Sequence, residues 1–151
     1  MTADEARERA ATQLEEAGIV LTAAERAAIE VTDFGLGRLE EEGLQIVVYV
    51  NTERVCAKEL VLFPGQACPE HRHPPVGADP GKEETFRVRR GVVYVRVGDA
   101  PELTLRPGEQ CIVPPNTLHS FRAGDEGAIV SEFSTRSRDE LDVFTDPLIV
   151  R

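Results

Sequence analysis

The chain has 151 residues, a formal net charge of −10, 29% charged and 41% hydrophobic residues, and three cysteines. That length suits one domain around a single buried core. An acidic chain lacks the basic face that nucleic acid or an anionic membrane requires, and no run approaches the roughly 20 apolar residues of a membrane span, so neither is expected as a partner.

The opening, MTADEARERAATQLEEAG, is charged and helix-forming rather than signal-like. Cys56, Cys68 and Cys111 are odd in number and lack C-x-x-C spacing. Together these features predict reduced thiols and a cytoplasmic protein. Thr2 and Glu5 form a capping box that starts a helix over 3–16, with Gly18 as its stop. Thr22 and Glu25 repeat the box and open a second helix running to about Val31. Residues 33–43, rich in glycine turns, read as a loop.

From Leu44 the pattern changes to short β runs punctuated by Gly and Pro. They cover 44–50, 57–63, 67–73, 84–90, 92–97, 102–106, 110–113, 118–122 and 128–133. Many short strands at such spacing predict a sandwich or barrel. The tail after Phe133 is polar, then apolar, and should pack back on the barrel. The expected organisation is a single domain over 1–151. It comprises N-terminal helices (1–32), a β-barrel (44–133) and a C-terminal tail (134–151).

All three histidines fall in two Gly-bounded β segments: His71-x-His73 with Glu84 between Gly65 and Gly91, and His119 between Gly108 and the following strand. Alternation along a strand puts His71 and His73 on one face, Lys82, Glu84, Phe86 and Val88 on one face, and His119 with Phe121 on one face. Three imidazoles and a carboxylate on converging inward faces suit a divalent first-row metal. Any one of these histidines alone would more often be a surface or core residue; their joint placement favours a metal centre. Glu83 takes the opposite parity and should point away. Cys68 and Cys111 flank the ligand segments and read as inert buried thiols.

These segments resemble the cupin family. Its first motif, G-x5-H-x-H-x3,4-E-x6-G, is matched by Gly65, His71, His73, Glu84 and Gly91. Its second, G-x5-P-x-G-x2-H-x3-N, is matched by Gly108, Pro114 and His119. Two departures stand out. Ten residues separate His73 from Glu84, and Asn116 stands where the motif has its last glycine. The inserted PPVGADPGKE should form a loop at the barrel mouth, near the metal. EHRHPP, GKEETFR, PPNTLH, the tail SEFSTRSRDELDVFTDP, and the segments AGIVLTAAERAAIEVTDFGLG and KELVLFPGQ are similar to the D-lyxose isomerase branch of cupins.

That resemblance implies a mainly β fold, a cupin double-stranded β-helix or jelly-roll barrel with a short N-terminal helical segment. It implies Mn²⁺ at His71, His73, Glu84 and His119, with Co²⁺, Ni²⁺, Fe²⁺ or Zn²⁺ as substitutes. The implied reaction interconverts D-lyxose and D-xylulose, and D-mannose and D-fructose, with a small sugar as partner and a homodimer as the working form. Proton movement between C2 and C1 needs a base and an acid beside the cation. Lys82, two residues from Glu84, and Glu132, a charge within an apolar strand, are the catalytic candidates. Glu132 is assigned as base and Lys82 as donor or acid, with the reverse assignment open. In the family the tail approaches the pocket, which makes Arg136 and Asp142 candidates for binding sugar hydroxyls. Phe86, Phe121 and Phe133 are candidate pocket walls. Two other functions suit the same ligand set: an Fe²⁺ cupin dioxygenase, which would want an apolar pocket, and a cupin that binds sugar without turnover.

Overall fold

The computed structural model describes residues 1–150. Helix α1 (Ala3–Glu16) starts at Thr2, whose side chain accepts from the Glu5 amide while Glu5 bonds back to the cap, and α2 (Ala23–Ala27) repeats this box at Thr22. Nine strands follow: β1 (Glu30–Thr32), β2 (Leu44–Asn51), β3 (Cys56–Leu62), β4 (Ala67–Arg72), β5 (Glu84–Val97), β6 (Leu103–Leu105), β7 (Gln110–Val113), β8 (His119–Ser134) and β9 (Val143–Phe144). No helix among the described residues is long and apolar enough to cross a membrane.

One curled antiparallel sheet carries the fold. Its path is β1-β2-β3-β8-β4-β9, with β5 pairing β6, β7 and β8. The two longest strands hold it together. The second half of β8 pairs β3 on one side and β5 on the other, while its first half lies between β4 and β5. Inward side chains such as Leu44, Ile46, Leu60, Phe86, Val95, Phe121 and Val130 fill the barrel. Outward neighbours Val47, Val61 and Ile129 are buried as well, because α1 lays Ala6, Ala10, Ala11 and Leu14 over them. Alanines on that helical face let it approach the sheet closely, so this part of the sheet is dry on both faces.

Two boundaries differ from the sequence reading. The second helix stops at Ala27, not near Val31. Ile29 through Thr32 is rich in β-branched residues, and Glu30–Thr32 pairs with Leu44–Ile46 instead, so the sheet edge overrides the capping-box continuation. Runs 84–90 and 92–97 form one strand, as do 118–122 and 128–133. The glycine between the first two is a bulge rather than a turn. Gly91 has φ 76°, the register with β8 shifts on either side of it, and a Cβ there would stand 2.0 Å from the Gly127 carbonyl oxygen. The bulge bends β5 without ending it.

A candidate metal centre inside the barrel

His71 lies near the end of β4 and is the cross-strand partner of His119, the first residue of β8. His73 follows immediately after β4, and Glu84 opens β5. Register along β5 and β8 pairs Glu84 with Ser134 and Val97 with His119, putting Glu84 and His119 at opposite ends of the ladder. Closure of the barrel reunites them. Glu84 Oε2 lies 3.0 Å from His119 Nε2 and 3.2 Å from His73 Nε2. All four side chains are buried.

Each imidazole is held through Nδ1. His71 Nδ1 is 2.8 Å from the Pro69 carbonyl, His119 Nδ1 is 2.9 Å from the Thr117 carbonyl, and His73 Nδ1 is 2.6 Å from Asp142 Oδ1. A carbonyl or carboxylate can only accept, so in the neutral rings these contacts keep the proton on Nδ1 and turn the Nε2 lone pair inward. One ligand atom from each of the three histidines falls within 4.8 Å of the others. His73 Nε2, His119 Nε2 and Glu84 Oε2 are buried without a hydrogen bond. Buried acceptors left without a proton donor are costly unless a cation takes their lone pairs, so the set fits a divalent metal with nitrogen and oxygen ligands.

Electrostatics agree with that fit at His71 and Glu84, whereas without a cation His73 favours its imidazolium, whose Nε2 proton a metal would displace. Burial, then the neighbouring histidines, push His71 down to about 3, leaving it neutral and ready to ligate. Burial would also depress His73, but its Nδ1 contact with Asp142 and the Glu84 carboxylate 3.2 Å from Nε2 win and raise it to about 9. Glu84 stays well below the usual carboxylate range despite burial, because Lys82 and the surrounding donors favour its anion.

Lys82 and Glu132 stand beside this cluster. Lys82 Nζ is 2.7 Å from Glu84 Oε1 and 3.2 Å from Glu132 Oε1, and both side chains are 5% exposed. Burial would push Lys82 down, yet the Glu132 and Glu84 charges raise it, so it remains an ammonium. Burial pushes Glu132 up to about 8, helped by the Glu84 charge and opposed by Lys82. A carboxyl with a pKa raised toward neutrality beside an ammonium is suited to proton transfer.

A cavity of about 30 Å³ joins these groups, with Phe86 and Phe121 in its wall. Asp142 also lines it, and its carboxylate is committed to His73. Arg136 lies outside it. It faces a neighbouring cleft shared with His73, Lys82 and Asp142, and pairs with Glu53 at 3.3 Å. Phe133 is 51% exposed on the outer face and so is no pocket wall; it alternates with the inward Glu132. Glu83 is exposed, as its parity requires, and burial raises the Cys56 and Cys111 thiols, Cys111 to about 11. The insert folds over the mouth, where Arg138 of the tail bonds Asp79.

Sequence reasoning missed Lys58. This buried residue lines the cavity, with Nζ 2.9 Å from Ser137 Oγ and 3.1 Å from Asp139 Oδ2. Its parity with Leu60 and Leu62 on β3 was the available signal. The bond from His73 to Asp142 had no such signal, because it depends on how the tail returns.

Comparison with known proteins places these features in context. The family described as Cupin domain matches residues 59–131. The D-lyxose ketol-isomerase of Thermofilum sp. (strain ex4484_79) is 57% identical, covering 97% of this chain and 93% of the relative. The D-lyxose/D-mannose isomerase of Thermosediminibacter oceani is 55% identical over 97% of this chain and 92% of its own. Among solved structures, the L-ribose isomerase of Cellulomonas parahominis without ligand superposes with a TM-score of 0.80 at 17% identity, covering 96% of this chain and 91% of that one. At that identity the superposition speaks to the barrel fold alone.

Proposed function

From the premise that this chain belongs to the D-lyxose ketol-isomerase family of cupins and is a sugar isomerase, we propose that it interconverts D-lyxose and D-xylulose, and D-mannose and D-fructose, at the three-histidine, one-glutamate centre. The observation that carries this reading is the buried Lys82–Glu132 pair, set against the ligand Glu84. A dioxygenase pocket has no use for such a pair.

His71, His73, Glu84 and His119 would hold the cation. A divalent ion there supplies Lewis-acid stabilisation of negative charge that develops on the sugar's C1 and C2 oxygens. Glu132, as carboxylate, takes the C2 proton while the C2–H electron pair forms the C1=C2 bond and the C1 carbonyl pair moves onto O1. Lys82 donates a proton to O1, giving the neutral enediol. The O2 proton then returns to the Lys82 amine as the C2 carbonyl forms, and C1 takes the proton that Glu132 carries. The net change moves one hydrogen from C2 to C1 and one from O2 to O1, with both side chains restored. Burial keeps the base close to neutral pKa, and the proton held on the Glu132 carboxyl exchanges with solvent before it is returned to carbon.

In the same reading, one cupin domain carries the site, Mn²⁺ is the resident ion, the protein works as a homodimer, and its compartment is the cytoplasm. Family resemblance supports the first three points, and the reduced cysteine thiols support the fourth. Turnover of D-lyxose in D₂O, followed by proton NMR, tests the chemistry. Appearance of D-xylulose with deuterium at C1 supports proton transfer through Glu132. Ketose formed with no deuterium at C1 or C2 contradicts that route, and no ketose from D-lyxose or D-mannose contradicts the isomerase reading itself.

A further inference from the structure

No step above uses Lys58, yet it stands in the same cavity wall as His71 and His73. It is 4% exposed, on β3, directly across from Glu132 on β8, which in turn faces Phe86 on β5. Lys58, Glu132 and Phe86 therefore form one rung of the inner surface. Glu84 approaches Glu132 from the β5 side, and Lys58 stands on the β3 side. A sugar with O1 and O2 at the histidine end and its C2 hydrogen toward Glu132 would run its remaining carbons toward Lys58. It would fill more than the present cavity, which at about 30 Å³ has room for about one water.

Burying this ammonium needs a reason. A brace between barrel and tail requires no charge, since well-packed apolar side chains replace buried ion pairs at little or no loss of stability. Lys58 is instead aimed: Ser137 Oγ and Asp139 Oδ2 accept two of its three N–H donors, and Asp139 is held well below its ordinary range against burial, by Lys58 and then Lys82. One donor is left for a ligand. We propose that Lys58 is a further substrate-binding residue, donating a hydrogen bond to the C4 or C5 hydroxyl of the extended aldose while Ser137 and Asp139 fix its direction. This assignment rests on the isomerase reading and extends it to the far end of the sugar.

The test compares kcat/KM for D-lyxose with its 4-deoxy and 5-deoxy analogues in the Mn²⁺-loaded protein, in Lys58→Met and in Lys58→Gln. Differences in ring form among the sugars cancel when the ratios are compared between proteins. The unmodified protein should prefer D-lyxose over one of the analogues by roughly 10- to 100-fold, the range for a hydrogen bond to a charged group. Both variants should lose most of that preference while still turning over. Thermal melts identify any variant that fails to fold; Lys58→Gln, which keeps a polar end for Ser137, then decides. Two results overturn the assignment: equal use of all three sugars by the unmodified protein, or folded variants slowed by one factor on all three, which makes Lys58 a brace. No turnover of D-lyxose by the unmodified protein overturns the isomerase reading and this inference with it.

Discussion

Glu132→Gln separates a catalytic carboxyl from a structural one. The side chain is buried and its pKa is raised from 4.5 to about 8, first by burial and then by the Glu84 charge, with Lys82 pulling the other way. A carboxyl whose folded pKa is raised stabilises the fold most below its unfolded value, and that advantage is lost as pH rises through the folded value. The penalty grows by about 1.4 kcal/mol per pH unit between these limits, or roughly 3 kcal/mol at pH 7. Glutamine imitates the neutral acid and escapes it. Lys82 keeps its 2.7 Å contact with Glu84 in the variant, so the ammonium is not stranded. The metal-stripped variant should therefore melt at the same temperature as the parent or higher near pH 7, with a flatter pH dependence between about 5 and 8. Loss of the base should lower kcat by roughly 10²- to 10⁴-fold. Differential scanning fluorimetry across pH, paired with ketose formation from D-lyxose in the Mn²⁺-loaded protein, reads both effects. A large fall in melting temperature with little loss of turnover would refute the reasoning and make Glu132 a structural group.

Other outcomes follow from the same geometry. Asp142→Ala removes the carboxylate 2.6 Å from His73 Nδ1 and should weaken Mn²⁺ binding by roughly 10- to 100-fold in a chelator competition, whereas Glu140→Gln, an exposed charge on the same turn, should leave it unchanged. Equal affinities would show that the tail does not support the ligand set. The pH profile of kcat/KM should rise with pH through an acid limb, as Glu132 must be ionised to accept the C2 proton. That limb should lie at or below about 8, since a cation beside Glu84 offsets the repulsion that raises Glu132; a profile flat from pH 5 to 9 would exclude Glu132 as the base. Gly91→Ala sets a Cβ 2.0 Å from the Gly127 carbonyl oxygen at φ 76°, and should cost about 3 kcal/mol or more in urea unfolding. A loss below about 1 kcal/mol would mean that β5 and β8 separate there easily.

Much of the site was legible because strand alternation is strict. His71 with His73, Lys82 with Glu84, and the inward set on β5 all follow from a period of two, and the cupin spacing says which strands meet. Asn116 shows how a departure from a motif can be understood. It occupies the motif's glycine position with φ 54°, a left-handed conformation that asparagine tolerates better than most residues, and its side chain accepts from Arg72. Bends were harder to read. Gly91 has the composition of a turn, and only its close approach to Gly127 shows that the strand continues through it. The tail was hardest, because nothing local sends Asp142 to His73 or Asp139 to Lys58. Those contacts arise from the path of residues 137–144 over the barrel mouth, where Val143 and Phe144 pair with β4. Lys58 could have been found by applying to β3 the parity test used on β5.

The central claim is that the buried histidine–glutamate cluster runs aldose–ketose isomerisation with a bound cation. Conversion of D-lyxose to D-xylulose by chelator-stripped protein, measured before and after adding one equivalent of Mn²⁺, tests it directly. The account predicts negligible ketose from the stripped protein and restored turnover with the ion, and no restoration in Glu84→Ala or His119→Ala. Stoichiometric Mn²⁺ binding without conversion of D-lyxose or D-mannose, or equal turnover with and without the ion, would contradict it.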